Sequence, residues 1–226
     1  MDEELKINQR ERTNKIYNMD IVSLYMNTND FWQMPIISND HYIPENLIGF
    51  NEAMTSKDKK AAVHFFLDDY QFERVWKTPR RYIEVFKRYT GVCSPDYSLY
   101  LDMPTALQIY NTYRSRLIGQ YYQSQGLNVI PTISWADKDS FEFCFKGIPK
   151  GSVVIISTLG VKGDREALNI WHEGKDELIR QIEPSAILIY GGKIEADFKG
   201  VTTKWYENET IKRMEGVKQN GRQRRE

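Results

Sequence analysis

Apolar positions along the chain fall into two kinds of run that alternate. Short, nearly continuous runs occur at MPIIS (34–38), LIGF (47–50), VHFFL (63–67), GVCSP (91–95), NVIPTIS (128–134), SVVIIST (152–158) and AILIYGG (186–192). Between most of them, apolar residues recur at helical spacing. Such alternation indicates βα units and a mostly parallel sheet. The short runs are continuous rather than every-other-residue, which suits strands covered on both faces. GVTTKWY (200–206) reads as a last strand. A full eight-fold barrel typically needs ~250 residues, more than this stretch offers. The expected class is therefore α/β: a compact, mostly parallel βα sheet, either an incomplete or distorted TIM-like barrel or an open doubly wound sheet.

The helical segments carry start and stop signals. In KTPRRYIEVFKRYTG, Thr78 is placed to cap and Pro79 to open a helix whose Tyr82, Ile83, Phe86 and Tyr89 share a face. In LYLDMPTALQIYNTYRSRLIGQYYQSQG, Asp102 is the expected cap and Gly126 the stop, with Ala106, Tyr110, Tyr113, Leu117 and Tyr121 as the apolar stripe. Gln108, Asn111 and Ser115 make a polar face of the same helix, flanked by Arg114 and Arg116. It reads as a solvated face, or as one from which Asn111 and Arg114 reach a ligand or support a loop. Asp164 opens a further helix that Pro184 stops, with Leu168, Trp171, Leu178 and Ile182 inward. DSFEFCFKG has strand period at Phe141, Phe143 and Phe145, but a short helix ending at Gly147 is expected.

These elements divide the chain into an N-terminal helical arm (1–33), an α/β core (34–192) and a C-terminal extension (193–226) with a basic end. That end holds Lys218, Arg222, Arg224 and Arg225 against Glu226, and reads as a frayed terminus or as a weak arm for a polyanion or partner. Over the whole chain, 31 Lys and Arg balance 31 Asp and Glu. No overall field draws polyanions, so a nucleic-acid partner would need a local patch. Cys93 and Cys144 are the only cysteines, without a CxxC, and read as reduced structural thiols. No run approaches the ~20 apolar residues of a membrane span, and the first residues lack the apolar core of a signal peptide. The expectation is a cytoplasmic protein with no membrane partner.

Ligands of parallel α/β folds bind outside the carboxyl ends of the strands. The residues that follow each strand run there are rich in acids, hydroxyls and aromatics. Asp68 and Asp69 follow VHFFL. Asp96, Tyr97, Ser98 and Tyr100 follow GVCSP. Ser134 and Trp135 close NVIPTIS, Ser157 and Thr158 close SVVIIST, and Tyr190 closes AILIY. Carboxylates from neighbouring strands can hold a hard divalent cation or form an acid/base pair. Asp68, Asp69 and Asp96 are the candidate catalytic groups, and Asp68 and Asp96 the candidate ligands for Mg²⁺ or Mn²⁺. Tyr97, Ser98, Tyr100, Asn111, Arg114, Ser134, Trp135, Ser157, Thr158 and Tyr190 are candidate ligand contacts. The bland roles are plain too. Asp69 and Asp102 can cap helices, and Asp96 can be a turn residue. Adjacent side chains in a strand point to opposite faces, so only one of Asp68 and Asp69 can enter a central site. His64 is expected at the opposite end of its strand or in mid-core. GxSxG, GxGxxG, Walker A, EF-hand and HExxH patterns are absent.

The runs HFFLDDYQFERVW, SPDYSLYLDMPTALQIYNTYRSRLIGQYYQ, GLNVIPTISW, SFEFCFKGIPKGSVVIISTLGV and ILIYGG together resemble the DUF4417 family of bacterial, phage and mobile-element proteins. The resemblance spans about residues 47–192. It implies a prophage or mobile-element setting and supplies no reaction. Two functions are expected from different classes. One is metal-assisted hydrolysis or phosphoryl transfer on a nucleotide or nucleic acid, with Arg114 or Lys162 holding the phosphate. The other is a non-catalytic binding or regulatory protein acting on a host protein partner.

Overall fold

The computed structural model describes residues 13–23 and 26–207. The basic end at 217–226 and the first residues of the N-terminal arm lie outside them. Among the described residues seven strands occur: β1 (Asn46–Gly49), β2 (Ala61–His64), β3 (Gly91–Cys93), β4 (Val129–Ile130), β5 (Val153–Ser157), β6 (Ala186–Tyr190) and β7 (Thr202–Tyr206). Four α-helices are bounded among the described residues: α1 (Asp69–Lys77), α2 (Ile83–Phe86), α3 (Thr105–Ser124) and α4 (Arg165–Ile182). β1 to β4 form one sheet and β5 to β7 a second, each in chain order and each wholly parallel. A single parallel bridge between Thr132 and Ile155 joins them. The strand order never reverses, as it does in a doubly wound sheet. No ladder joins β7 to β1 among the described residues, so the sheet stays open. The Tyr206 hydroxyl and the Lys204 ammonium instead donate to the carbonyl of Pro44, just ahead of β1.

Two-residue periodicity sorts the strand side chains. Ala61, Val63, Phe65 and Val92 face an outer core shared with α1, α2 and α3. Val154, Ile156, Ile187 and Ile189 face a second outer core with Trp171, Leu178 and Ile182 of α4. The alternate residues, Ala62, Phe66, Cys93, Ile130, Ile155, Leu188, Tyr190 and Tyr206, converge on an inner cluster fed by both sheets. Apolar burial on both faces is why these strands read as unbroken runs.

Several boundaries differ from the sequence expectation. Residues 34–38 form no strand. Pro35 makes an antiparallel bridge to Asn27, and the Ile37 N–H donates to Gly147 O, so this run lies beside other loops. β4 is only two residues long, because Pro131 has no N–H to continue the ladder. The segment opened by Pro79 is 3₁₀ (Pro79–Tyr82) before it becomes α2, and the Thr78 hydroxyl turns back to Arg74 O instead of capping. Asp102 does not cap α3, since Pro104 occupies that position. Asp164 does cap α4, accepting from the N–H groups of Glu166 and Ala167 at 2.8 and 3.1 Å. The short helix expected before Gly147 is present as a 3₁₀ turn that ends earlier, at Glu142 (Lys138–Glu142). Both cysteines are free and buried.

Candidate functional site

The two adjacent carboxylates diverge because the β2 ladder ends at His64 and a helix starts at Asp69. Asp69, in the first turn of α1, accepts from the Ser98 hydroxyl at 2.8 Å and from the Ser98 N–H at 3.2 Å. It therefore ties α1 to the segment after β3. Asp68 holds the N-cap position without making a side-chain cap bond, and its exposed carboxylate faces a cavity.

That cavity has a volume of about 840 Å³ and lies at the carboxyl edge of β2 to β5. A volume of this order suits a small organic ligand. Phe66, Asp68 and Gln71 line one side, Asp96 and Ser98 to Asp102 another. Ile133 to Ala136, Ser157, Leu159 to Val161 and the α4 residues Ala167, Ile170 and Trp171 complete it. No Lys, Arg or His is among the lining residues.

Asp96 is the distinctive group. Burial pushes its carboxyl up to about 7, the Ser134 hydroxyl bond opposes the rise, and the charge of Asp69 adds to it. The Ser134 hydroxyl donates a short hydrogen bond to Asp96 Oδ1. The floor beneath is held rigidly. Thr132 N–H donates to Ser94 Oγ at 2.9 Å, Thr132 Oγ1 to Ser94 O, and Ser94 Oγ pairs with Ser115 Oγ of α3. Gly119 brings α3 this close, since a Cβ there would sit 2.3 Å from Ile37 Cδ1 and 3.1 Å from Ser94 Cβ.

The mouth segment hangs on the same helix. Gln108 donates to the carbonyls of Tyr100 and Met103 at 3.1 and 2.9 Å, and Asn111 donates to Ser98 O at 2.7 Å. Arg114 orients Asn111 (2.8 Å) and pairs with Glu73 (2.8 Å), its guanidinium 3.8 Å from the centre of the Tyr97 ring. The polar face of α3 is thus buried rather than solvated, which overturns the first expectation for it. Asn111 and Arg114 support a loop and do not line the cavity, and Lys162 does not line it either. Tyr97 is fully buried, with a hydroxyl that has no partner among the described residues.

Trp135 and Trp171 present ring surface alone, because their N–H groups already donate to Ile170 O (3.2 Å) and Ser157 O (2.9 Å). Ser157 lines the cavity, while Thr158 is buried and donates to Gly192 O. Tyr190 lies beneath, stacked on Phe66 and 4.3 Å from the His64 ring. His64 ends β2 yet is buried in mid-core. Its Nδ1 accepts from Phe66 N–H, which puts the proton on Nε2, and burial lowers it to about 3. A histidine held neutral in this way is no proton carrier near pH 7.

Of the candidate residues, Asp68, Asp96, Ser98, Tyr100, Ser134, Trp135 and Ser157 thus share one cavity. Asp69, Tyr97, Asn111, Arg114, Thr158 and Tyr190 surround or underlie it. Phe66, Gln71 and Trp171 line it and were not singled out. Phe66 and Trp171 carry the same apolar signal as core residues. Among the described residues, no three His, Cys, Asp or Glu side chains gather as a metal-holding group.

Residues 26–207 match the family model described as a domain of unknown function, DUF4417. The chain belongs to the DUF4417 family. The matched span contains the whole cavity and all seven strands. Two curated relatives are phage proteins, each named "Gene 1 protein". That of Mycobacterium phage D29 is 39% identical over 179 residues, covering 76% of this chain and 66% of its own length. That of Mycobacterium phage L5 is 39% identical over 178 residues, covering 76% of this chain and 77% of its own length. The chain thus spans slightly less than two thirds of the D29 protein. No solved structure matches it. Among the described residues, no helix of this DUF4417 protein is long and apolar enough to cross a membrane.

Proposed function

We propose that this protein is an enzyme acting on a nucleotide-class small molecule in the carboxyl-edge cavity, with Asp96 as the proton-transfer group. The observation that carries this is a carboxyl held to about 7 inside a ligand-sized, aromatic-walled cavity. A general acid or base works best when its pKa lies near the operating pH. Ser134 fixes one oxygen of Asp96, and the other, Oδ2, has no partner among the described residues. In a metal-assisted version, Asp68 and Asp96 would hold Mg²⁺ or Mn²⁺, which would activate water and offset phosphate charge. Their oxygens are of the hard type such ions take. Two carboxylates leave most of the coordination to water and substrate.

The test is a screen of nucleosides, nucleotides and short oligonucleotides from pH 5 to 9, with and without Mg²⁺ or Mn²⁺. Turnover is expected to fall at least ~100-fold in Asp96→Asn with the melting temperature kept. Asp68→Asn should remove only metal-dependent turnover. Silence across substrates, metals and pH would sink the proposal.

The second reading is a binding protein for a host protein partner. It is favoured by the exposure of Tyr100, Leu101 and Leu159, which lie at the cavity and are 60%, 55% and 42% accessible. Exposed apolar groups beside a pocket are a common mark of an interaction site. Under this reading Asp96→Asn would leave partner capture unchanged, whereas Leu101→Asp would abolish it.

A further inference from the structure

The polar groups of the cavity can be accounted for one by one. The hydroxyls of Ser98 and Ser134 already donate to Asp69 and Asp96. Both indole N–H groups already donate to carbonyls. The first free amides of α4 are taken by its own cap, Asp164. That helix end therefore offers no ready seat for an anion, although helix N-termini often do. Of the charged groups only acceptors remain, Asp68, Asp96 Oδ2 and Asp102, with no cationic side chain among the lining residues; the neutral donors left among the described residues are the Gln71 amide and the Ser157 hydroxyl, whose oxygen already accepts from the Leu159 N–H. The wall is broad and aromatic. Such a site repels a bare phosphate and suits a flat ring that carries hydrogen-bond donors.

We infer that Asp96 reads the edge of an aminated nitrogen heterocycle, a ring nitrogen beside an exocyclic amine as in adenine or cytosine, and that the cavity takes it as free base or nucleoside without gripping a phosphate. This rests on the reading of the cavity as the functional site. In the geometry proposed, Oδ1 keeps the Ser134 hydroxyl and also accepts from the exocyclic amine. Oδ2 and the ring nitrogen share one proton between them. Trp135 supplies the stacking face. Asp68 and Asp102 then discourage a 5′-phosphate.

The test is calorimetric titration of the full chain with adenine, cytosine, adenosine, adenosine monophosphate and unsubstituted purine. At least one amino-bearing base or nucleoside is expected to bind saturably. Purine, lacking the amine, should bind about tenfold more weakly or worse, since one side of the pair is left open. The monophosphate should bind more weakly than the nucleoside, with or without Mg²⁺. Asp96→Asn keeps one acceptor and one donor in place, so it should bind within about tenfold of wild type while losing turnover. Asp96→Ala should not bind. Equal binding of purine and adenine would overturn the inference, and so would tighter binding of the monophosphate with Mg²⁺. If no base binds but some other compound is turned over in an Asp96-dependent way, the ring-edge inference falls and the enzyme reading stands. If neither occurs, both fall.

Discussion

Asp96, half-buried at the cavity, and Arg116, buried in the core, are ionisable side chains that meet the loss of water differently. Asp96 answers burial by holding its proton. Arg116 is 2% exposed and donates from all three guanidinium nitrogens, to the carbonyls of Lys146, Thr132 and Cys144. Burial draws it down to about 10, with the neighbouring Cys144 opposing the fall, so it stays charged at neutral pH. The sign for Asp96 follows from linkage. Its folded value lies above the ordinary carboxyl value of 3.8, so the native state keeps a proton that the unfolded chain releases. That contribution to stability is full below about pH 4 and is lost as pH rises through about 7. Wild type is therefore expected to lose stability on the order of 2 kcal/mol from this group between pH 4.5 and 8, after allowance for solvent reaching the cavity. Asp96→Asn should flatten that slope, and urea unfolding at both pH values measures it. An unchanged slope would mean that Asp96 ionises normally. Arg116→Met leaves three buried carbonyls without a donor. It should cost about 3–5 kcal/mol, read as a lower urea midpoint.

At the scale of elements, α3 supports the cavity mouth. Its polar residues at 108, 111 and 115 recur at the helix period, as an apolar stripe would, and they face the loop and β3 rather than water. Asn111→Ala removes the donor to Ser98 O and the anchor of Arg114. It should cost about 1–2 kcal/mol and speed proteolysis at the exposed Tyr100–Leu101 step. Gly174 in α4 is the contact on the other wall. A Cβ there would lie 2.1 Å from Trp135 Nε1, so Gly174→Ala must move the indole. Loss of about 1–3 kcal/mol, a shift in tryptophan emission and weaker ligand binding are expected together. Unchanged emission would mean that the wall can give. Sequence periodicity showed five of the strands closely and α4 with its Asp164 cap, because those rest on local signals. It could not show that residues 34–38 lie outside the sheet, since a buried loop and a buried strand look alike when both are apolar. Nor could it show that Gln108 and Arg116 are buried, because the carbonyls that hold Arg116 lie far along the chain and those that hold Gln108 belong to a loop whose fold back onto α3 has no local signal. The carboxyl-edge rule brought Asp68, Asp96, Ser134 and Trp135 to one place. It could not separate them from Tyr97 or Tyr190, whose rings turn into the core from neighbouring positions.

At the scale of the molecule, the cavity depends on both sheets being held together. Asp68 and Asp96 come from the first sheet and Ser157 from the second, with Ser134 and Trp135 in the segment that bridges them. Few backbone bonds make that junction: Ile155 N–H to Pro131 O at 3.0 Å and Ile133 N–H to Ile155 O at 2.9 Å. The inner cluster does the rest, because Phe66 of the first sheet stacks on Tyr190 of the second. β7 matters to this although it contributes nothing to the cavity lining. It pairs along all of β6, sends Tyr206 into the inner cluster and returns to Pro44 ahead of β1. A chain ending at Gly200 would expose the β6 edge and release the link to β1, so it should lose cooperative unfolding and ligand binding together. Tyr206→Phe is the finer probe. It keeps the ring and removes only the hydroxyl bond at Pro44, so it should cost about 1 kcal/mol and leave ligand affinity unchanged. If Tyr206→Phe weakened binding as much as the truncation does, the open seam between β7 and β1, rather than the stacked inner cluster, would be what sets the shape of the cavity.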